Sequence, residues 1–122
     1  MRMRNAAVAA LGAFMLALAV PSSPAAAADG EFRYMYTGLD GTPRVAVLLD
    51  PVDGECITLP EVADPGAGEP AHSPRNRTTE WATVFTEPGC EGDYFSLRPL
   101  SGYGSERLKL RSVVFGTTPE DS

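Results

Sequence analysis

Between Trp81 and Phe115 every apolar run is cut short by glycine, proline or serine: WATVF, then TEPGCEG, then DYFSL, then RPLSGYGSE, then RLKLRSVVF. A typical helix needs an apolar period of three to four residues kept up over roughly ten positions or more. This stretch offers none, so it reads as short strands joined by tight turns. Trp81, Ala82, Val84 and Phe85 form a β-branched and aromatic run suited to a strand with one buried face. At Glu87-Pro88-Gly89 it stops, because Pro88 lacks a backbone donor and Gly89 tolerates the left-handed conformation of a turn. Asp93–Leu97 returns as the second arm of a hairpin. Arg98–Ser105 is too rich in glycine, proline and serine for a central strand. The alternation of Leu108 and Leu110 with Lys109 and Arg111 predicts a half-buried strand with its cations facing solvent.

Upstream, Phe32–Tyr36 predicts a first strand, with a turn at Gly38-Leu39-Asp40-Gly41. Val45–Leu49 is a near-continuous apolar run and predicts a buried strand. After the turn Asp50–Gly54, Glu55–Leu59 predicts a strand carrying Cys56. Residues 60–74 hold four prolines and several acids, have no strand pattern, and predict an exposed loop. The expected class is all-β, a sandwich of about six strands.

The N-terminus has the three parts of a secretory signal: Arg2 and Arg4, an apolar run from Ala6 to Val20, and small residues Ala25–Ala28. The run is shorter than the ~20 residues that span a bilayer. Cleavage is expected after Ala28. That leaves one domain over residues 29–116 and a flexible tail over 117–122. The segment removed holds two of the ten cations and none of the sixteen acids, so the remainder carries a formal charge of −8. Such a surface disfavours nucleic-acid phosphates and anionic membranes as partners. A secreted, extracellular, monomeric protein is expected. In that compartment Cys56 and Cys90 are expected to pair, which removes roughly 3–4 kcal/mol of loop entropy from the unfolded chain.

The residues around Cys90 resemble a known family. Phe85, Cys90 and Gly92 stand at the spacing of the aromatic-x4-aromatic-x-Gly corner that opens a β/γ-crystallin Greek key, with Cys90 in the second aromatic position. Leu97, Tyr103-Gly104 and Ser112-Val113 fall where that unit places its second-strand leucine, its Tyr-containing loop and its closing strand. The match is similar to small secreted actinobacterial proteins of crystallin type, a metalloproteinase-inhibitor family among them. It implies a Greek-key β-sandwich with a second unit at 81–115 and a degenerate first unit at 31–76, closed by Ser73–Asn76 and lacking the corner.

That family often binds calcium, but the positions matching its ligand signature, Arg107 to Ser112, hold two arginines and a lysine, and Pro70–Ser73 offer no acid pair. Calcium needs oxygen ligands, so no metal or cofactor is expected. Nor is enzyme chemistry. His72 is a lone loop histidine, Cys90 is consumed by the disulfide, and the acid pairs Asp50/Asp53 and Glu91/Asp93 flank turns. Asn76-Arg77-Thr78 is a glycosylation sequon read here as turn chemistry. The function expected is a non-enzymatic binding protein, a peptidase inhibitor acting through the 60–74 loop, with Glu61, Asp64, Glu69 and His72 as candidate contacts to an extracellular protease. The alternative is a structural or cell-wall component that stacks carbohydrate on its tyrosines and Trp81.

Overall fold

The computed structural model describes residues 27–116. The expected tail, and all of the expected signal peptide except Ala27 and Ala28, lie outside that range. Nine strands form among the described residues: β1 (Gly30–Thr37), β2 (Pro43–Leu49), β3 (Ile57–Thr58), β4 (Ala71–Thr78), β5 (Trp81–Glu87), β6 (Glu91–Leu97), β7 (Gly102–Tyr103), β8 (Lys109–Leu110) and β9 (Ser112–Gly116). They build two antiparallel sheets. The first has the order β2-β1-β4-β7, with β8 also on β4, and the second has the order β3-β9-β5-β6. Each half of the chain lends strands to the other's sheet. β3, from the first half, pairs with β9 through Ile57–Val113 and Thr58–Ser112. β7 and β8, from the second half, pair with β4.

Period-two alternation places the core between the sheets. β1 turns Phe32 and Tyr34 inward, β5 Ala82 and Val84, and β9 Val113 and Phe115, all of them buried. The Phe32 and Phe115 rings meet edge to face at 5.3 Å and 84°. Phe32 also contacts Tyr34 at 6.1 Å. Leu59, Leu97 and Leu110 complete the cluster. Ala28 is also fully buried and donates its amide to Pro51 O at 2.8 Å, a contact that a chain beginning at Asp29 would lack.

The disulfide forms between Cys56 and Cys90, with Cα atoms 5.9 Å apart. It joins the segment before β3 to the β5–β6 turn. Ser112 secures the same turn. Its buried hydroxyl donates to Glu87 O at 2.6 Å and accepts from the Cys90 amide at 2.8 Å. Cys90 and Gly92 both have positive φ, 59° and 84°, and a Cβ on Gly92 would collide with the Thr86 hydroxyl. Cys90, Gly92 and Ser112 therefore shape this hairpin turn. Ser73, the expected counterpart in the first half, instead shares a hydrogen bond with His72 Nδ1.

Several sequence expectations are corrected. Val45–Leu49 is an edge strand, not a buried one: Ala46 and Leu48 face the core, while Val45, Val47 and Leu49 are 58%, 45% and 71% exposed. The loop after Leu59 ends at Pro70, because Ala71–Thr78 is β4. Its inward positions are Ala71, Pro74, Asn76 and Thr78, too small or too polar to show as an apolar alternation. Leu108–Phe115 is split between the two sheets, and at the crossing Arg111 is buried rather than facing solvent. Glu55–Leu59 shortens to Ile57–Thr58, with Glu55 and Cys56 exposed.

Asn76 is likewise no turn residue. It is fully buried, its Nδ2 donates to the carbonyls of Glu80, Leu97 and Arg98, and its Oδ1 accepts from the Thr78 amide and hydroxyl. These bonds satisfy a polar group that would otherwise be costly to bury. They also lock the β4–β5 link, where the two halves join, to the end of β6.

Candidate functional site

The Pro-rich segment expected as a partner loop is held at several points. Leu59 is buried, and Pro60–Val62 make a single 3₁₀ turn that drops Val62 into the core at 5% exposure. From the β8–β9 junction the Arg111 guanidinium reaches across the loop. Its Nη1 donates to Val62 O at 2.9 Å and its Nη2 to Gly68 O at 2.8 Å. One side chain thus gathers both ends of the exposed tip. Within the tip, Asp64 accepts from the Gly66 amide at 2.9 Å through its carboxylate and from the Ala67 amide at 3.0 Å through its carbonyl. Ala63 to Ala67 all remain exposed.

A second anchor comes from β1. The buried Tyr34 hydroxyl donates to Glu61 Oε1 at 2.6 Å. Burial first, and then the Glu61 carboxylate, push the Tyr34 phenol well above its ordinary value of 10.0. At neutral pH it is therefore a fixed donor. Opposite the loop, the β1–β2 turn is stiffened by Asp40, which accepts from the Thr42 hydroxyl at 2.7 Å and pairs with Arg44 at 3.2 Å. Bonds from Thr42, chiefly its hydroxyl, hold the Asp40 carboxyl below the usual range. A concavity of about 390 Å³ opens between Thr37–Leu39 of that turn and the loop residues Pro60–Asp64.

The four candidate contacts separate in space. Glu61 is engaged by Tyr34, Asp64 caps its own turn, and Glu69 is exposed at the loop's far end. His72 is not on the loop at all, since it lies within β4 opposite Met35 and Lys109. Nothing in the sequence marked Tyr34 and Arg111 as the residues that position the loop, because each acts across a long stretch of chain. Asp50 accepts from the Gly30 amide at 2.8 Å, and Glu91 and Asp93 are exposed on β6.

Among the described residues no group of three or more His, Cys, Asp or Glu side chains is placed to hold a metal ion. The positions matching the calcium signature have other tasks: Leu110 fills the core, Arg111 clamps the loop and Ser112 folds the hairpin. The tyrosines do not form a row. Tyr34 is buried, Tyr94 stands on β6 beside Phe85 and Tyr103 on β7 of the other sheet. Comparison with protein-family models, curated proteins and solved structures gives no match.

Proposed function

We propose that this chain is a secreted, non-enzymatic binding protein of β/γ-crystallin type that presents its anchored 60–70 loop to an extracellular peptidase. Supporting the type are two antiparallel sheets that exchange strands between the halves of the chain, in keeping with paired Greek keys. The serine tie on the Cys90–Gly92 hairpin adds to it. Fold alone does not carry function; the loop does. The observation that bears most weight is the Arg111 clamp on Val62 and Gly68. A tip already held in one conformation loses little entropy when a partner closes on it, which is how rigid loops gain affinity.

The test is an inhibition titration of the oxidised protein against a panel of metallo- and serine endopeptidases. Stoichiometric inhibition that disappears when Ala63–Ala67 is shortened is the expected result. A protein that survives the panel intact and inhibits none of it would refute the reading and direct the search to wall polysaccharides.

A further inference from the structure

The outer face of the first sheet carries a cross-strand row that acidic composition does not lead one to expect. Strand register sets Val47 of β2 opposite Arg33 of β1, Arg33 opposite Arg75 of β4, and Arg75 opposite Tyr103 of β7. Arg77, on the same face of β4, stands opposite Glu31. Three of the eight cations found after residue 28 thus share one face of a chain with sixteen acids. Like charges placed directly opposite on neighbouring strands destabilise a sheet, yet Arg33 and Arg75 are such a pair. Glu31 engages only one of them, at 2.8 Å from Arg33 Nε. Among the described residues Arg75 has no ion pair, and its guanidinium instead lies 5.8 Å from the centroid of the Tyr103 ring.

Around this pair is a concavity of about 340 Å³, walled by Arg33, Met35, Val45, Arg75, Tyr103 and Ser105. One wall is cationic and aromatic. The other is the apolar edge of β2, where Val45, Val47 and Leu49 stay exposed. Each guanidinium has five donors in a planar fork, so a carboxylate lying between two of them takes charge-assisted bonds from both and relieves their repulsion. A free inorganic anion would use the arginines and leave the apolar wall uncovered. A neutral sugar would stack on Tyr103 and accept hydrogen bonds from the arginines, but would leave their like charges unneutralised.

We propose that this face docks an extended acidic segment of a partner protein. One carboxylate lies across Arg33 and Arg75, and an apolar side chain two residues away, on the same face of the extended segment, packs against Val45 and Met35 beside Tyr103. Charge complementarity selects the partner, and the period-two spacing of an extended chain matches the two walls. No residue of the 60–70 loop lines this concavity, and Tyr34 is common to its wall and to the anchor of the loop; the proposal does not rest on the inhibitor reading.

The probe is a fluorescein-labelled peptide repeating Glu-Ser-Leu-Ser, measured by anisotropy against the full secreted protein, with the Gln-Ser-Leu-Ser peptide as control. Saturable binding is expected that weakens with added salt, is about tenfold or more weaker for the Gln peptide, and falls by a similar factor in Arg75→Gln. Arg44→Gln, which alters a cation on the hairpin away from this face, should leave it unchanged, and Arg75→Lys should keep part of it. Equal binding of the two peptides, or no loss in Arg75→Gln, overturns the proposal. So does binding of polygalacturonate without binding of the peptide. Concentration-dependent self-association that Arg75→Gln abolishes overturns it too, by showing that a second copy covers the face.

Discussion

Replacing Arg111 with methionine keeps an unbranched apolar stem and removes every donor. Of the two carbonyls it would release, Gly68 belongs to an exposed residue and can turn to water, whereas the bond to Val62 O is buried. An unsatisfied buried carbonyl costs roughly 1–3 kcal/mol. If the loop lifts to hydrate it, Val62 leaves the core at a cost of roughly 1.5–3 kcal/mol. Opposing this, the variant no longer desolvates a guanidinium that has no carboxylate partner among the described residues. That relief is the smaller quantity, since the second arm of the guanidinium reaches a carbonyl at the exposed rim. The net loss is about 2–3 kcal/mol, against the 5–15 kcal/mol typical of a small domain. For a chain of this size it lowers Tm by roughly 8–20 °C.

Far-UV circular dichroism on heating measures the global effect. Hydrogen exchange at the Val62 and Ala67 amides, which bond to Leu59 O and Asp64 O, measures the local one. Arg111→Lys, with one compact donor head in place of a fork, should fall between wild type and Arg111→Met. An Arg111→Met protein that melts within about 4 °C of wild type, with the loop amides equally protected, would show that the clamp does not order the loop.

Reducing the Cys56–Cys90 bridge, or replacing both cysteines with serine, should cost roughly 3–4 kcal/mol; an unchanged urea midpoint would refute that. Asn76→Asp sets a carboxylate against the carbonyls of Glu80, Leu97 and Arg98 and should cost roughly 4 kcal/mol or more. Arg77→Gln, on the exposed side of the same strand, should change the midpoint little. For Tyr34 the folded phenol is held above its ordinary value of 10.0, so its contribution is complete below that pH. Above it the unfolded chain releases the proton and the folded chain keeps it, so stability falls by about 1.4 kcal/mol per pH unit. Tyr34→Phe should abolish that alkaline slope in urea titrations at stepped pH.

Strand segments bounded by turns were legible where one buried face is apolar. β1, β5 and β6 follow from Phe32 and Tyr34, Ala82 and Val84, and the turn residues on either side. The disulfide was legible because a chain with two cysteines has a single intramolecular pairing. β4 was not, because a strand packed through Ala71, Pro74, Asn76 and Thr78 has the composition of a loop, and its hydrogen bonds come from partners distant in sequence. The burial of Arg111 was hidden for a related reason. Alternation assigns sides within one strand, and the chain changes sheets at Arg111, where the alternation restarts. Apolar content likewise marked Val45–Leu49 as a strand, but only the sheet order shows that β2 has one neighbour and that three of its five apolar side chains meet solvent.

The anchored loop and the arginine face meet on β1 through neighbouring residues. Successive side chains on a strand point to opposite faces. Tyr34 therefore points inward and holds the loop through Glu61, while Arg33 points outward into the row with Arg75 and Tyr103. Neighbours in sequence thus serve different surfaces. Arg33→Gln should weaken capture of the acidic peptide and leave the loop amides protected, and Tyr34→Phe should loosen the loop and leave peptide capture intact. If either substitution moved both readouts equally, the strand itself would be shifting. The two surfaces would then be one coupled unit rather than two independent faces of a rigid sheet.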